Sequence, residues 1–130
     1  MTIKGKLPPV LVVDDEPNMR ESIQDILSGE KYGAELAESA EQALELLPDG
    51  KHEFFMVITD ARLGGISGYE LLKHISRDWP NVPVIVITAF ATPKLAVEAI
   101  QNGAVDYLSK PFAPEELLHA VERCHERYQL

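Results

Sequence analysis

Val10-Leu11-Val12-Val13-Asp14-Asp15-Glu16-Pro17 joins a continuous, valine-rich apolar run to a pair of carboxylates and then to a proline. Four apolar residues with no polar alternation mark a strand covered on both faces, as in a parallel sheet. Pro17 pre-sets φ for a first helical turn, and Ile23, Ile26 and Leu27 recur at helical spacing until Gly29 stops the run. The opening segment therefore reads as a β-α unit with two acids at the carboxyl end of its strand.

The same alternation continues along the chain. Ala34 to Ala37 is a weaker, edge-strand candidate, and Ser39 with Gln42 forms a capping box ahead of a helix whose apolar face is Ala43, Leu44 and Leu47. Phe54 to Thr59 reads as a second buried strand running into Asp60, followed by a loop with Gly64, Gly65 and Gly68 and a helix carrying Leu71, Leu72 and Ile75 that Pro80 closes. Val82 to Thr88 is β-branched apart from Pro83. Thr92-Pro93 then supplies the cap and first residue of a fourth helix, which carries Leu95, Ala96, Ala99 and Ile100 and ends at Asn102-Gly103. Val105 to Ser109 is a last short strand. Pro114-Glu115-Glu116 opens a fifth helix with Leu117, Leu118, Val121, Cys124 and Tyr128 on its apolar side, the early carboxylates suiting the helix dipole.

Five strands alternating with five helices predict an α/β fold, a doubly wound, five-stranded parallel sheet in one domain over residues 1–130, with its core at about 9–128. At 130 residues and 45% hydrophobic content the chain can bury a sufficient core without staples. Cys124 has no second cysteine to pair with and reads as a buried free thiol in a reducing compartment. The first residues lack the apolar core of a signal peptide, and no apolar run approaches the ~20 residues of a membrane span, so a cytoplasmic location without membrane contact is expected. A net charge of -9 with twelve scattered Lys and Arg excludes counterion release as a driving force, and this segment is not expected to bind nucleic acid.

In a doubly wound sheet the chemistry lies at the carboxyl ends of the strands. Asp14 and Asp15 after the first strand and Asp60 after the third would face one crevice. Such acids repel one another, and a hard divalent cation such as Mg2+ removes the penalty. The oxygen-only donor set argues against zinc, and the four histidines are dispersed and read as solvated or snorkelling side chains. Thr88 and Lys110 end the fourth and fifth strands. A hydroxyl and an ammonium beside a carboxylate-bound cation suit a transferred phosphoryl group. Taken singly, Thr88 also fits a satisfied strand-end hydroxyl, Tyr107 a half-buried edge aromatic and Lys110 a surface charge; convergence favours the site. No Gly-x-x-x-x-Gly-Lys loop is present, and the acidic pair would repel a nucleotide phosphate at the first helix.

Val12-Val13-Asp14-Asp15-Glu16, Ile58-Thr59-Asp60, Val86-Ile87-Thr88-Ala89 and Asp106-Tyr107-Leu108-Ser109-Lys110-Pro111-Phe112 resemble, in order and over nearly the whole chain, the receiver domains of two-component response regulators. Asp60-Ala61-Arg62 and Ala104-Val105-Asp106-Tyr107-Leu108 look most like receivers of the nitrogen-regulation (NtrC-like) transcriptional activators. The resemblance implies that Asp60 accepts a phosphoryl group from a sensor histidine kinase, a phosphotransfer protein or a small donor. It implies Mg2+ held by Asp15, Asp60 and the main-chain carbonyl of Arg62, with Asp14 acting mainly through water. It makes Thr88 and Lys110 the partners of the phosphoryl oxygens, leaves Ala89 small at the entrance, and makes Thr88 and Tyr107 a switch. It further implies a cis Lys110-Pro111 bond, and a signalling surface formed by the fourth helix, fifth strand and fifth helix, through which two copies can pair as a homodimer. Such a domain assists only its own phosphorylation and is not otherwise an enzyme.

A dehalogenase-type phosphatase also uses a strand-end aspartate with Mg2+, but needs an acid two residues later, where this chain has Arg62. A flavodoxin-like binding module fails on the acidic first loop. Two settings remain open: a receiver whose output domains follow it, and a free-standing phosphorelay carrier. The chain departs from the usual Asp-x-x-Met-Pro run, reading Asp60-Ala61-Arg62-Leu63-Gly64.

Overall fold

The computed structural model describes residues 7–47 and 54–129, with side-chain environments through residue 126. The strands are β1 (Val10–Val13), β2 (Ala34–Ala37), β3 (Met56–Asp60), β4 (Val84–Thr88) and β5 (Asp106–Ser109). The helices are α1 (Pro17–Gly29), α2 (Ala40–Leu46), α3 (Gly68–Asp78), α4 (Pro93–Gln101) and α5 (Pro114–Gln129). All strand pairs are parallel, in the order β2-β1-β3-β4-β5. This is the expected doubly wound architecture, with its switch of direction between β1 and β3.

The period of two along each central strand sorts the core into two layers. Leu11, Val13, Val57, Val84 and Val86 point to the layer covered by α2, α3 and α4. Val10, Val12, Met56, Ile58, Ile85 and Ile87 point to the layer filled by α1 and α5, where the Cys124 thiol is also buried. Because β1, β3 and β4 are buried on both sides, their polar residues are confined to their carboxyl ends.

Caps follow the sequence signals. Ser39 Oγ accepts from the Gln42 amide at 3.0 Å, while the Gln42 side chain accepts from the amide of Glu38 at 2.8 Å, one residue upstream of the expected partner. Thr92 caps α4 through the Leu95 amide at 3.1 Å. Gly103, at φ 109, turns the chain out of α4.

Three strand boundaries differ from the sequence reading. Phe54 and Phe55 are buried but precede β3, because the ladder starts where Met56 meets Val10, and it runs on to include Asp60, opposite Ile87. Val82 and Pro83 precede β4, where Pro83 contributes only its carbonyl to the Val57 amide at 2.9 Å. Val105 likewise lies before β5. Tyr128 lies outside the described side chains. No helix among the described residues is long and apolar enough to cross a membrane.

Candidate functional site

Register alone brings the acids together. Val13 pairs with Thr59, which places Asp14 beside Asp60; Asp60 pairs with Ile87, and Thr88 pairs with Ser109, so Thr88 and Lys110 follow at the same rim. Asp14, Asp60 and Thr88 are buried, as is Thr59, and these four are the buried polar side chains among the described residues. Asp15 is exposed above them. One carboxylate oxygen from each of Asp14, Asp15 and Asp60 lies within 4.8 Å of the others.

Lys110 Nζ reaches this cluster, 3.3 Å from Asp60 Oδ2 and 3.5 Å from Asp14 Oδ2. Burial pushes the Asp14 carboxyl above its ordinary range, against the Glu16 amide that donates to its Oδ1 at 2.9 Å and against Lys110. For Lys110, burial favours the neutral amine, but Asp14 and Asp60 together carry the ammonium above its ordinary value. Arg20 donates to the main-chain oxygen of Asp14 at 2.7 Å and fixes the turn that presents Asp15.

Three carboxylates against one ammonium leave two negative charges unbalanced, the deficit that one divalent cation closes. The donor set and the charge of these three acids therefore fit a hard divalent ion. Lys110-Pro111 is cis, as the resemblance implied.

The loop after β3 is held at two points. Ile66 donates its amide to Glu41 Oε2 at 3.2 Å, and Gly65, at φ 76, leaves room for that carboxylate. Gly68 starts α3 in direct contact with the end of β3: a Cβ there would lie 2.0 Å from the Asp60 main-chain oxygen. Ser67 caps the helix through the Glu70 amide at 3.1 Å.

The mouth is an open cleft of about 220 Å³ lined by Asp15, Asp60, Arg62, Ala89, Phe90 and Lys110, with Glu16 at its rim. The Arg62 guanidinium stacks over the Phe90 ring, 3.9 Å from its centre. Thr88 Oγ1 accepts the Phe90 amide at 3.0 Å, so the residue that frames the cleft is tied to the strand-end hydroxyl. Behind it, the Tyr107 hydroxyl meets that of Tyr69 at 2.8 Å. From the sequence Gly68 falls in the loop, yet it is the buried first residue of α3; neither it nor Tyr69 stands out by any motif, because both act through contacts that only the docking of α3 creates. A larger cavity of about 440 Å³ lies at the opposite end of the sheet, bounded by Phe55, Pro83, Val105 and Cys124 among others, and has no acidic lining. Two of the described histidines are half-buried, as snorkelling side chains are: His74 lies 3.0 Å from an Arg77 guanidinium nitrogen, and His125 packs edge-on to Tyr32 with its Nδ1 3.4 Å from the hydroxyl. His119 is exposed, and His52 lies outside the described residues.

A sheet of this order with an acid triad and a lysine at its carboxyl rim defines a class, and comparison with known proteins agrees. Residues 10–122 match the response regulator receiver domain, and the chain belongs to that family. It is 36% identical to the transcriptional regulatory protein FixJ of Bradyrhizobium diazoefficiens over 94% of this chain and 57% of that protein. It is 37% identical to the DNA-binding transcriptional regulator NtrC of Escherichia coli over 92% of this chain and 25% of that protein. The chain thus spans about half or a quarter of these relatives. Among solved structures it resembles the beryllofluoride-activated NtrC4 receiver domain dimer, with a TM-score of 0.84 at 32% identity, covering 92% of this chain and 98% of that one.

Proposed function

We propose that the chain is a phosphorylation switch of a two-component system, taking a phosphoryl group on Asp60 from a histidine kinase or phosphotransfer protein in the cytoplasm and passing the signal to a transcriptional output. The convergence of Asp14, Asp15, Asp60 and Lys110 on one rim carries this reading. In the transfer, an Asp60 carboxylate oxygen bonds to phosphorus as the bond from phosphorus to the donor's nitrogen breaks, and the electron pair leaves with the imidazole. Lys110 exchanges a carboxylate for a phosphoryl oxygen, and Thr88 gives its hydroxyl to another. Asp15, Asp60 and the Arg62 carbonyl, with Asp14 through water, would hold Mg2+, which supplies positive charge against the incoming phosphate. The domain assists only its own phosphorylation and dephosphorylation. Incubating the chain with acetyl phosphate and Mg2+ tests the reading: intact-mass measurement should show one added phosphoryl group, and none when EDTA is present. No label under either condition would dismiss it.

The signalling face is α4-β5-α5. Val97 and Ile100, three residues apart on α4, are 55% and 49% exposed and give this face an apolar strip. This face suits contact with a second copy or with a following domain.

Arg62 and Phe90 cover the path by which water would reach a phosphorylated Asp60, and neither can orient that water as a carboxylate or amide would. The native phosphoryl-aspartate should outlast that of the Arg62→Asn, Phe90→Glu double variant by about tenfold, below the ~10²–10⁴ of a positioned acid-base group. Decay of the labelled mass gives both lifetimes, and equal ones would count against the role of the stack.

Gly64 is exposed, has open space where a Cβ would stand, and is not among the glycines of positive φ. Gly64→Pro should therefore tighten Mg2+ binding about two- to fivefold, by removing ~0.4–1 kcal/mol of chain entropy from the loop that carries the Arg62 carbonyl. Calorimetric titration of both proteins compares them directly; weaker binding by the variant would mean that proline distorts the loop.

A further inference from the structure

Tyr107 lies on β5, the edge strand, yet its ring does not turn out over the edge. It packs against the core layer beneath α3 and α4, and its hydroxyl reaches Tyr69 in the first turn of α3. The two oxygens are 2.8 Å apart and either can donate. Tyr69 is half-buried in the same layer, and burial first, then the Tyr107 hydroxyl, keep its phenol protonated well above the usual range. Among the described residues, Tyr69 is the one partner of the Tyr107 hydroxyl.

Register ties this pair to the site. Tyr107 is opposite Val86 on β4, and Thr88, two residues on, faces the same side of the sheet. Thr88 spends its Oγ1 lone pair on the Phe90 amide, so a phosphoryl oxygen that draws this hydroxyl alters the space beside the Tyr107 ring. With the ring inward, the Tyr107 hydroxyl needs a protein partner; turned outward, it finds water. A partner available only inward biases the equilibrium between the two orientations.

We propose that Tyr69 is a positioning residue of the switch: its hydroxyl holds Tyr107 inward, so the tyrosine pair sets how readily an occupied phosphoacceptor site commits the α4-β5-α5 face. The inference rests on the reading of Asp60 as that acceptor. Tyr69→Phe keeps the ring and its packing but leaves the inward Tyr107 hydroxyl half-buried and unpaired.

The test is a titration with beryllofluoride and Mg2+, followed by the amide resonances of β5 and α4, on the native chain, Tyr69→Phe, Tyr107→Phe and the double variant. Tyr69→Phe should raise the half-saturating beryllofluoride concentration about two- to tenfold, the worth of one neutral hydrogen bond. Tyr107→Phe, which has no hydroxyl to desolvate on turning inward, should change it less, and adding Tyr69→Phe to that variant should change nothing further, because the contact it removes is already absent. An unchanged or lowered half-saturation in Tyr69→Phe overturns the proposal, as do effects that add in the double variant. A Tyr69→Phe protein that fails to fold would assign the pair to core stability and likewise overturn it. If the native chain itself gives no response to beryllofluoride, the reading of Asp60 fails first and takes this inference with it; a native response with an indifferent Tyr69→Phe removes the inference alone.

Discussion

Asp60→Asn is expected to abolish phosphoryl uptake entirely. An amide has the shape of the carboxylate but neither its charge nor its nucleophilicity, so the bond to phosphorus does not form. The substitution does not threaten the fold: Asp60 is buried beside Asp14 at a rim with more negative than positive charge, and removing one charge relieves repulsion. The variant should therefore melt at or above the native temperature without added metal, while its intact mass stays unlabelled in Mg2+ and acetyl phosphate. Asp14, Asp15 and Glu16 are the other acids at the rim. A stoichiometric label on Asp60→Asn would move the chemistry to one of them and sink the assignment.

Gly68→Ala is expected to give the largest loss of stability. Alanine is the better helix former, by up to ~1 kcal/mol, and on propensity alone the change would strengthen α3. The structure reverses the sign. The added carbon would lie 2.0 Å from the Asp60 carbonyl oxygen, 2.8 Å from its carbon and 2.9 Å from Ala61 Cα, all backbone atoms that cannot swing aside. Either α3 retreats from the sheet, opening voids around Leu71, Leu72 and Ile75, or the end of β3 shifts. A cost of about 2–3 kcal/mol follows from overpacking of this kind, roughly 10 °C in a domain of this size. Because the displaced atoms are those of Asp60, the proposed acceptor, phosphoryl uptake should fall with stability. Urea unfolding and the mass assay read the two effects, and a variant as stable as the native chain would show that α3 can move away at little cost.

The fold was legible where burial is two-sided. Val10–Val13, Met56–Asp60 and Val84–Thr88 are fully buried, and their apolar runs announce it. Their limits were less so, because an apolar run reports burial while a ladder begins where a neighbouring strand begins: Phe54 and Phe55 are core residues that stand before the first rung. The acids and Lys110 were legible because strand ends converge by topology. The Arg62–Phe90 stack, the Tyr69–Tyr107 contact and the tight seat of Gly68 were not, since each depends on how a loop or helix docks across the chain, and residue spacing carries no record of that.

Lys110 is bonded to Asp14 and Asp60 before any phosphate arrives. It is an internal counter-ion, and an anion that reaches the rim can gain it only by taking it from a carboxylate. Capture is thus a change of partners with little net gain in attraction, and free phosphate, which offers nothing further, should be held weakly. A donor that forms a bond to Asp60 removes one of the competitors as it binds. With Asp60 as the proposed acceptor, selectivity between an idle anion and a reactive one would follow from where this single ammonium already rests.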